Sequence, residues 1–330
     1  MTETLLVESE EAPLRLDRWF RRRYPALPHG KLEKLLRTGQ IRVDGKRAKS
    51  GQRLEAGQEV RVPPLGELPP AEPKASSRPA TDSEAQMLRD AVLYRDEHMI
   101  VINKPPGLAV QGGTGMDTHL DAMLDVLAVD GGERPRLVHR LDKDTSGVLL
   151  LGCTAAATAR LAAAFRSRQA RKCYWALVVG VPKYRQGRID APLAKMTGRQ
   201  GDKVAVDEDE GRRAVTYYRV VESVLKKAAW LELEPRTGRT HQLRAHCALL
   251  GTPIQGDGKY GGKEAYLSGQ GVSRKLHLHA RAIEVPHPGR GGLLRVIAPP
   301  PQHMVGSFAF FGFAKGAAGE PFTAFEETSE

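Results

Sequence analysis

Asp142 and Asp144 stand between two apolar runs in residues 137–151, LVHRLDKDTSGVLLL, within a chain that is otherwise strongly basic. Thr145 and Ser146 follow them, and His139 and Arg140 place basic groups directly before them. A carboxylate in such a setting could be a nucleophile or a proton acceptor, could ligate a cation, or could merely close an Asx turn. Calcium binding fails on spacing. Counted from Asp142, the twelfth position is Cys153, where a calcium loop needs a bidentate Glu. A phosphotransferase using Asp142 and Asp144 would need magnesium ligands, and His-Arg is an unusual lead-in to such a site. The residues alone leave the Asx turn and the catalytic carboxylate both open.

The elements that must present these side chains follow from the apolar spacing. Leu137, Val138 and Leu141 close one buried strand and residues 148–151 open the next, so the acidic stretch sits at a tight turn, where functional groups are often displayed. Residues 172–179 read as a strand carrying Tyr174 among apolar neighbours, and 230–234 as another. A loop with Arg236 and Arg239 flanking Gly238 suits a phosphate clamp. Residues 241–250 then have helical spacing and stop at Gly251. Residues 158–167 form an Ala-rich helix, while 92–94 and 99–102 pair as a hairpin leading into Asn103-Lys104-Pro105-Pro106-Gly107. The following Gly112-Gly113-Thr114-Gly115 has no Gly-Lys-Ser/Thr after it, which excludes a nucleotide P-loop. After about residue 300 no pattern emerges, and 326–330 reads as a loose acidic tail.

The balance of 50 Lys and Arg against 39 Asp and Glu, net +11, favours a polyanionic partner. Residues 12–63 hold 14 of the basic residues and 5 of the acidic ones, so most of the net charge is there. Leu16, Trp19, Phe20 and Tyr24, then Leu32, Leu35 and Leu36, predict two helices, with Gly39 as a stop and Asp44-Gly45 as a hairpin turn. Arg21, Arg22, Arg23, Lys31, Lys34 and Arg37 lie on these helices as candidate phosphate contacts. Residues 64–90 are rich in Pro, Ser and Ala and read as a linker. No apolar run is long enough for a membrane span, and the acidic N-terminus argues against a targeting segment. Cys153, Cys173 and Cys247 lack zinc spacing and fit buried thiols in a reducing cytoplasm.

Nine consecutive residues, His139-Arg140-Leu141-Asp142-Lys143-Asp144-Thr145-Ser146-Gly147, match without a gap the signature H-R-L-D-x-x-T-S-G, and the chain here resembles the RluA-type pseudouridine synthases. The I-N-K-P-x-G and G-G-x-G segments, the run R-T-G-R-T-H-Q-L-R and G-D-x-x-Y-G at 256–261 follow in the family's order. Residues 12–63 are similar to the S4 RNA-binding module, through I-R-V-D-G-K and L-E-A-G-Q-E-V-R-V. The nearest likeness is to the ribosomal large subunit pseudouridine synthase C group, with Gln111 where that group would have His.

The resemblance implies an α+β protein: an S4-like module at 12–63, a linker at 64–90, and a catalytic domain at 91–315 built on a large, mainly antiparallel mixed sheet. It implies isomerisation of uridine to pseudouridine in RNA, with 23S ribosomal RNA as the expected substrate, no cofactor and no metal, in a cytoplasmic monomer. Asp142 would be the catalytic carboxylate, Arg244 its basic partner, Tyr174 the ring that packs on the base, and Arg140 the side chain filling the vacated stack. His139, His241, Gln242, Arg236 and Arg239 would complete the substrate contacts. The alternative is a non-catalytic RNA-binding ribosome-assembly factor on the same fold.

Overall fold

The computed structural model describes residues 2–66, 68, 78, 80–112, 118–129, 131–196, 203–267, 269, 271–314 and 316–328. The chain divides into two units, Met1–Ser76 and Ser77–Glu330.

In the first unit the amphipathic helices Leu16–Arg23 and His29–Arg37 lay Leu16, Trp19, Phe20, Leu32, Leu35 and Leu36 into one core with Ile41, Val43, Leu54, Val60 and Val62. The apolar spacing forecast these contacts. Asp44 and Gly45 both have positive φ, 48° and 74°, as a two-residue hairpin turn requires. The unit begins earlier than residue 12: Glu3–Leu6 pairs antiparallel with Glu59–Val62, and Val7 is buried. A strand at a sheet edge needs only alternate apolar residues, a weak local signal.

The expected linker ends sooner than residue 90. Asp82–Asp90 is a helix, capped where Thr81 and Glu84 exchange hydrogen bonds, with Ala85 and Leu88 buried. Thr-x-x-Glu is itself a helix-start signal, obscured here by the prolines before it.

The second unit is built on a ten-stranded sheet ordered Gln186–Asp190, Val215–Val224, Ala228–Pro235, Arg171–Val179, Leu278–Pro286, Ser146–Gly152, Met99–Lys104 and Val92–Arg95. Leu293–Ile297 also pairs with Leu278–Pro286, and Arg136–Leu137 with Ser146–Gly152. All pairings are antiparallel except Ser146–Gly152 with Leu278–Pro286, joined only at Ser146↔His279 and Gly147↔Ala280. Gly147 has φ 109°, and a Cβ there would lie 2.2 Å from the Ala280 carbonyl oxygen. This close approach starts the strand right after the acidic turn.

Helices Ala155–Arg166 and Gln242–Leu249 flank the sheet. The segment after residue 300, patternless in sequence, folds as helix Gln302–Phe310 followed by buried Phe313, Phe322 and Phe325. Phe308 stacks on Trp230, centroids 4.9 Å apart, and Phe313 and Phe322 join the same cluster. The partners lie far away in sequence, so no local period announces them.

Candidate active site

The turn carrying Asp142 is closed by Thr145, whose N–H donates to the Asp142 carbonyl. A buried lysine braces it from below. Lys104 Nζ donates to the carbonyls of Pro105, Leu108 and Lys143 at 2.8, 2.9 and 2.9 Å, three donors for three acceptors. Burial pushes this ammonium down to about 8 against the pull of Asp144 and Asp142. Sequence reasoning does not single out Lys104, although its place in I-N-K-P is a signal.

Arg244, on helix Gln242–Leu249, and His241, at the N-terminus of that helix, approach Asp142. Arg244 Nη1 lies 3.9 Å from Asp142 Oδ2, and His241 Nε2 lies 3.9 Å from Asp142 Oδ1. These are ion-pair rather than hydrogen-bond distances. The bidentate partner of Arg244 is Asp257, at 2.8 and 2.7 Å, and the Asp257 side chain is fully buried. Arg244 thus meets Asp142 as an ion pair, as expected, while two of its N–H groups are fixed by Asp257, which the sequence does not announce. Burial opposes the guanidinium charge, but the bonds to Asp257 and the field of Asp142 hold the Arg244 pKa above its ordinary value. Gly256, φ 83°, sets up Asp257, since a Cβ there would meet the Lys275 carbonyl oxygen at 2.1 Å.

His241 begins its helix in the left-handed region, φ 53°, and its Nδ1 is 2.9 Å from the Tyr260 hydroxyl. Burial lowers its pKa, with the Asp142 charge pulling the other way. The Tyr260 ring also lies beneath the Arg244 guanidinium, 5.0 Å away.

Two cavities meet at Asp142. The smaller, about 300 Å³, is lined by Asp142, Tyr174, Phe165, Lys172 and the Gly238 loop. The larger, about 950 Å³, takes in Gln111, Gly112, Lys143, Lys259 and Arg274. A register shift at Cys173/Tyr174 in the pairing with Leu278–Pro286 gives the strand a bulge beside Tyr174. Burial, and then the Asp142 charge, push the Tyr174 phenol well above its ordinary range, so it is a neutral ring with a proton to donate. Arg140 lines both cavities and is exposed, and its guanidinium has no hydrogen bond or ion pair among the described residues.

Other expected contacts fall elsewhere. Gln242 is 4% exposed, and its amide is spent: Oε1 accepts from Thr237 and the Arg239 N–H, and Nε2 donates to Val215 and Thr216. It shapes the loop and has no capacity left for a ligand. His139 accepts the Leu150 N–H at Nε2, 3.0 Å, and stacks on Phe165 at 4.6 Å. Burial pushes it down to about 3, so it serves as a neutral part of the cavity wall. Arg236 is held by Glu234 at 3.0 Å and lies over Tyr217, lining a third, neighbouring cavity rather than the one at Asp142. Arg239 reaches the edge of the Asp142 cavity while its Nε donates to the Arg213 carbonyl.

In the first unit Arg21, Arg22, Lys34 and Arg37 are exposed. Arg23 instead pairs with Glu11 at 2.9 Å and covers Trp19, and Lys31 donates to the Leu65 carbonyl at 2.5 Å. Both are engaged within the unit. The G-G-x-G residues Gly113, Thr114 and Gly115 lie outside the described residues. Among the described residues there is no group of three or more His, Cys, Asp and Glu that could hold a metal, and no helix is long and apolar enough to cross a membrane.

The family model described as RNA pseudouridylate synthase matches residues 98–249. A protein of Rickettsia typhi named ribosomal large subunit pseudouridine synthase C is 36% identical over 275 residues, covering 82% of this chain and 88% of its own length. The protein of the same name from Escherichia coli is 36% identical over 297 residues, covering 89% and 91%. Among solved structures, human RNA pseudouridylate synthase domain containing 4 aligns with a TM-score of 0.59 at 31% identity, covering 69% of this chain and 95% of that one.

Proposed function

The chain belongs to the RNA pseudouridylate synthase family, and on that premise we propose that it isomerises uridines of large-subunit ribosomal RNA, 23S in type, with Asp142 as the catalytic carboxylate. One observation carries the assignment: Asp142 stands where the two cavities meet, 3.9 Å from a guanidinium that buried Asp257 holds in place.

In the isomerisation the N1–C1′ bond breaks, the base turns, C5 bonds to C1′, the C5 hydrogen leaves as a proton, and N1 gains one. Asp142 acts on the sugar or base at the start, with the Arg244 guanidinium 3.9 Å away facing the charge that changes there. The neutral Tyr174 ring holds the loose uracil flat against the wall of the smaller cavity and offers its proton late in the sequence. The names of the relatives from R. typhi and E. coli support the ribosomal substrate. Mapping pseudouridines in large-subunit ribosomal RNA from cells with and without the protein tests it; identical maps would refute it. The free thiols of Cys153, Cys173 and Cys247 support a reducing, cytoplasmic setting, and we read the working form as a monomer.

A uridine inside a stem must leave its stack to reach Asp142, at a cost on the order of a few kcal/mol. We read Arg140, whose side chain lines both cavities and has no partner among the described residues, as the group that fills the gap. Arg140→Ala is expected to slow turnover on a paired stem-loop and to have much less effect when the same uridine is unpaired. Equal losses on both substrates would assign Arg140 to electrostatic support of Asp142 instead.

The exposed Arg21, Arg22, Lys34 and Arg37 fit an RNA-binding role for the first unit. Changing all four to Gln in the full chain should weaken RNA binding and flatten its salt dependence, by roughly 0.7 to 0.9 in log–log slope for each phosphate that the unit no longer neutralises. Turnover at saturating RNA should change little. An unchanged slope would remove the unit from the RNA path.

A further inference from the structure

Beyond the Gly238 loop a third cavity, about 790 Å³, adjoins the one that holds Asp142 and Tyr174. The two share a wall that includes Phe165, Lys172, Gly238 and Arg239, so they form one continuous groove. The charge of the outer part is lopsided: eight Lys and Arg side chains line it against one carboxylate, Glu234. Some of these cations are occupied. Arg236 is on Glu234, and Arg188 and Arg213 share Asp190. Three others, Lys172, Arg166 and Arg168, have no hydrogen bond or ion pair among the described residues.

Lys172 is the informative one. It lies two residues before Tyr174 on the same strand, shares the lining of the Asp142 cavity with it, and lines the third cavity as well. Its ammonium is 5.9 Å from the Phe165 ring and is pushed down to about 8 by burial, with Glu234 opposing. An unpaired, largely enclosed cation is costly to the folded protein unless something anionic comes to it. Arg166 ends the helix Ala155–Arg166, and Arg168 follows in a left-handed turn, φ 62°, leaving both exposed at the outer edge.

We propose that this trough holds backbone phosphates of the RNA strand flanking the extruded uridine, with Lys172 the first cation the strand meets and Arg166 and Arg168 the next. The inference rests on the reading of the Asp142 cavity as the uridine site. It adds a strand path, and hence a preference for substrates with unpaired nucleotides beside the target.

The test uses the full chain and direct RNA binding, which reads the trough whether or not turnover occurs. A short single-stranded RNA around a uridine is compared with versions extended by about six nucleotides on either side, a length within the reach of such grooves. Wild-type protein should bind one extended RNA more tightly than the short one. Arg166→Gln with Arg168→Gln should remove that gain, weaken binding of the extended RNA about tenfold, and lower its log–log salt slope by about 1.4, two single-strand contacts. Binding and turnover of the short RNA should be unchanged in this variant. No gain from either extension, or the same gain and slope in wild type and variant, overturns the proposal. Pseudouridine formation on the short RNA by wild type reports separately on the Asp142 site.

Discussion

Asp142→Asn is expected to fold, to bind RNA as the wild type does, and to form pseudouridine about 10⁴-fold more slowly or not at all. The amide is nearly the same size and keeps a polar atom toward His241 and Arg244, but it can neither attack nor take up a proton as a carboxylate does. Stability should hardly change. The Asp142 carboxylate is 21% exposed and stands 3.9 Å from both basic partners, so no direct hydrogen bond to either is removed. The turn is kept by its backbone carbonyl and by Lys104, which the substitution leaves alone. Release of label from C5-tritiated uridine, alongside a melting curve and an RNA-binding isotherm, measures all three quantities. Residual turnover within tenfold of the wild type would move the chemistry to another residue.

What the sequence showed depended on whether a signal was local. The acidic turn between two apolar strands, and the two helices around Trp19 and Phe20, were readable because spacing alone fixes which side chains face inward. Spacing put Tyr174 on a strand, but only the family resemblance marked it apart from plain core; the register carries it to the cavity. Direction of hydrogen bonding was not readable. Gln242 and His139 lie within matching motifs, yet polar atoms of theirs are taken up by Thr216 and Leu150, neither of them near in the chain. The bidentate tie from Arg244 to Asp257 was hidden for the same reason, since nothing in either local pattern names the other. Burial of Phe313 and Phe322 against the sheet depends on Trp175 and Trp230, more than eighty residues upstream.

That tie governs the second large effect. Arg244→Ala leaves the Asp257 carboxylate fully buried with its bidentate partner gone, a change that typically costs about 3–5 kcal/mol. The same substitution takes away the cation that stands 3.9 Å from Asp142, so turnover should fall by about 10²-fold or more. Loss of stability and loss of activity would then be confounded, and a second variant separates them. Arg244→Met with Asp257→Leu removes both charges and fills much of the same volume, and exchanging a buried ion pair for apolar groups is often neutral or stabilising. The double variant should therefore recover most of the melting temperature lost in Arg244→Ala while remaining as inactive. Arg244→Lys should fall between them, because an ammonium restores charge but cannot make the two parallel bonds that aim a guanidinium at Asp142. Thermal melts and single-turnover rates on one unpaired RNA substrate decide the matter. If the double variant regains activity together with stability, Arg244 is only a fold-holding residue, and the charge beside Asp142 is not what drives the reaction.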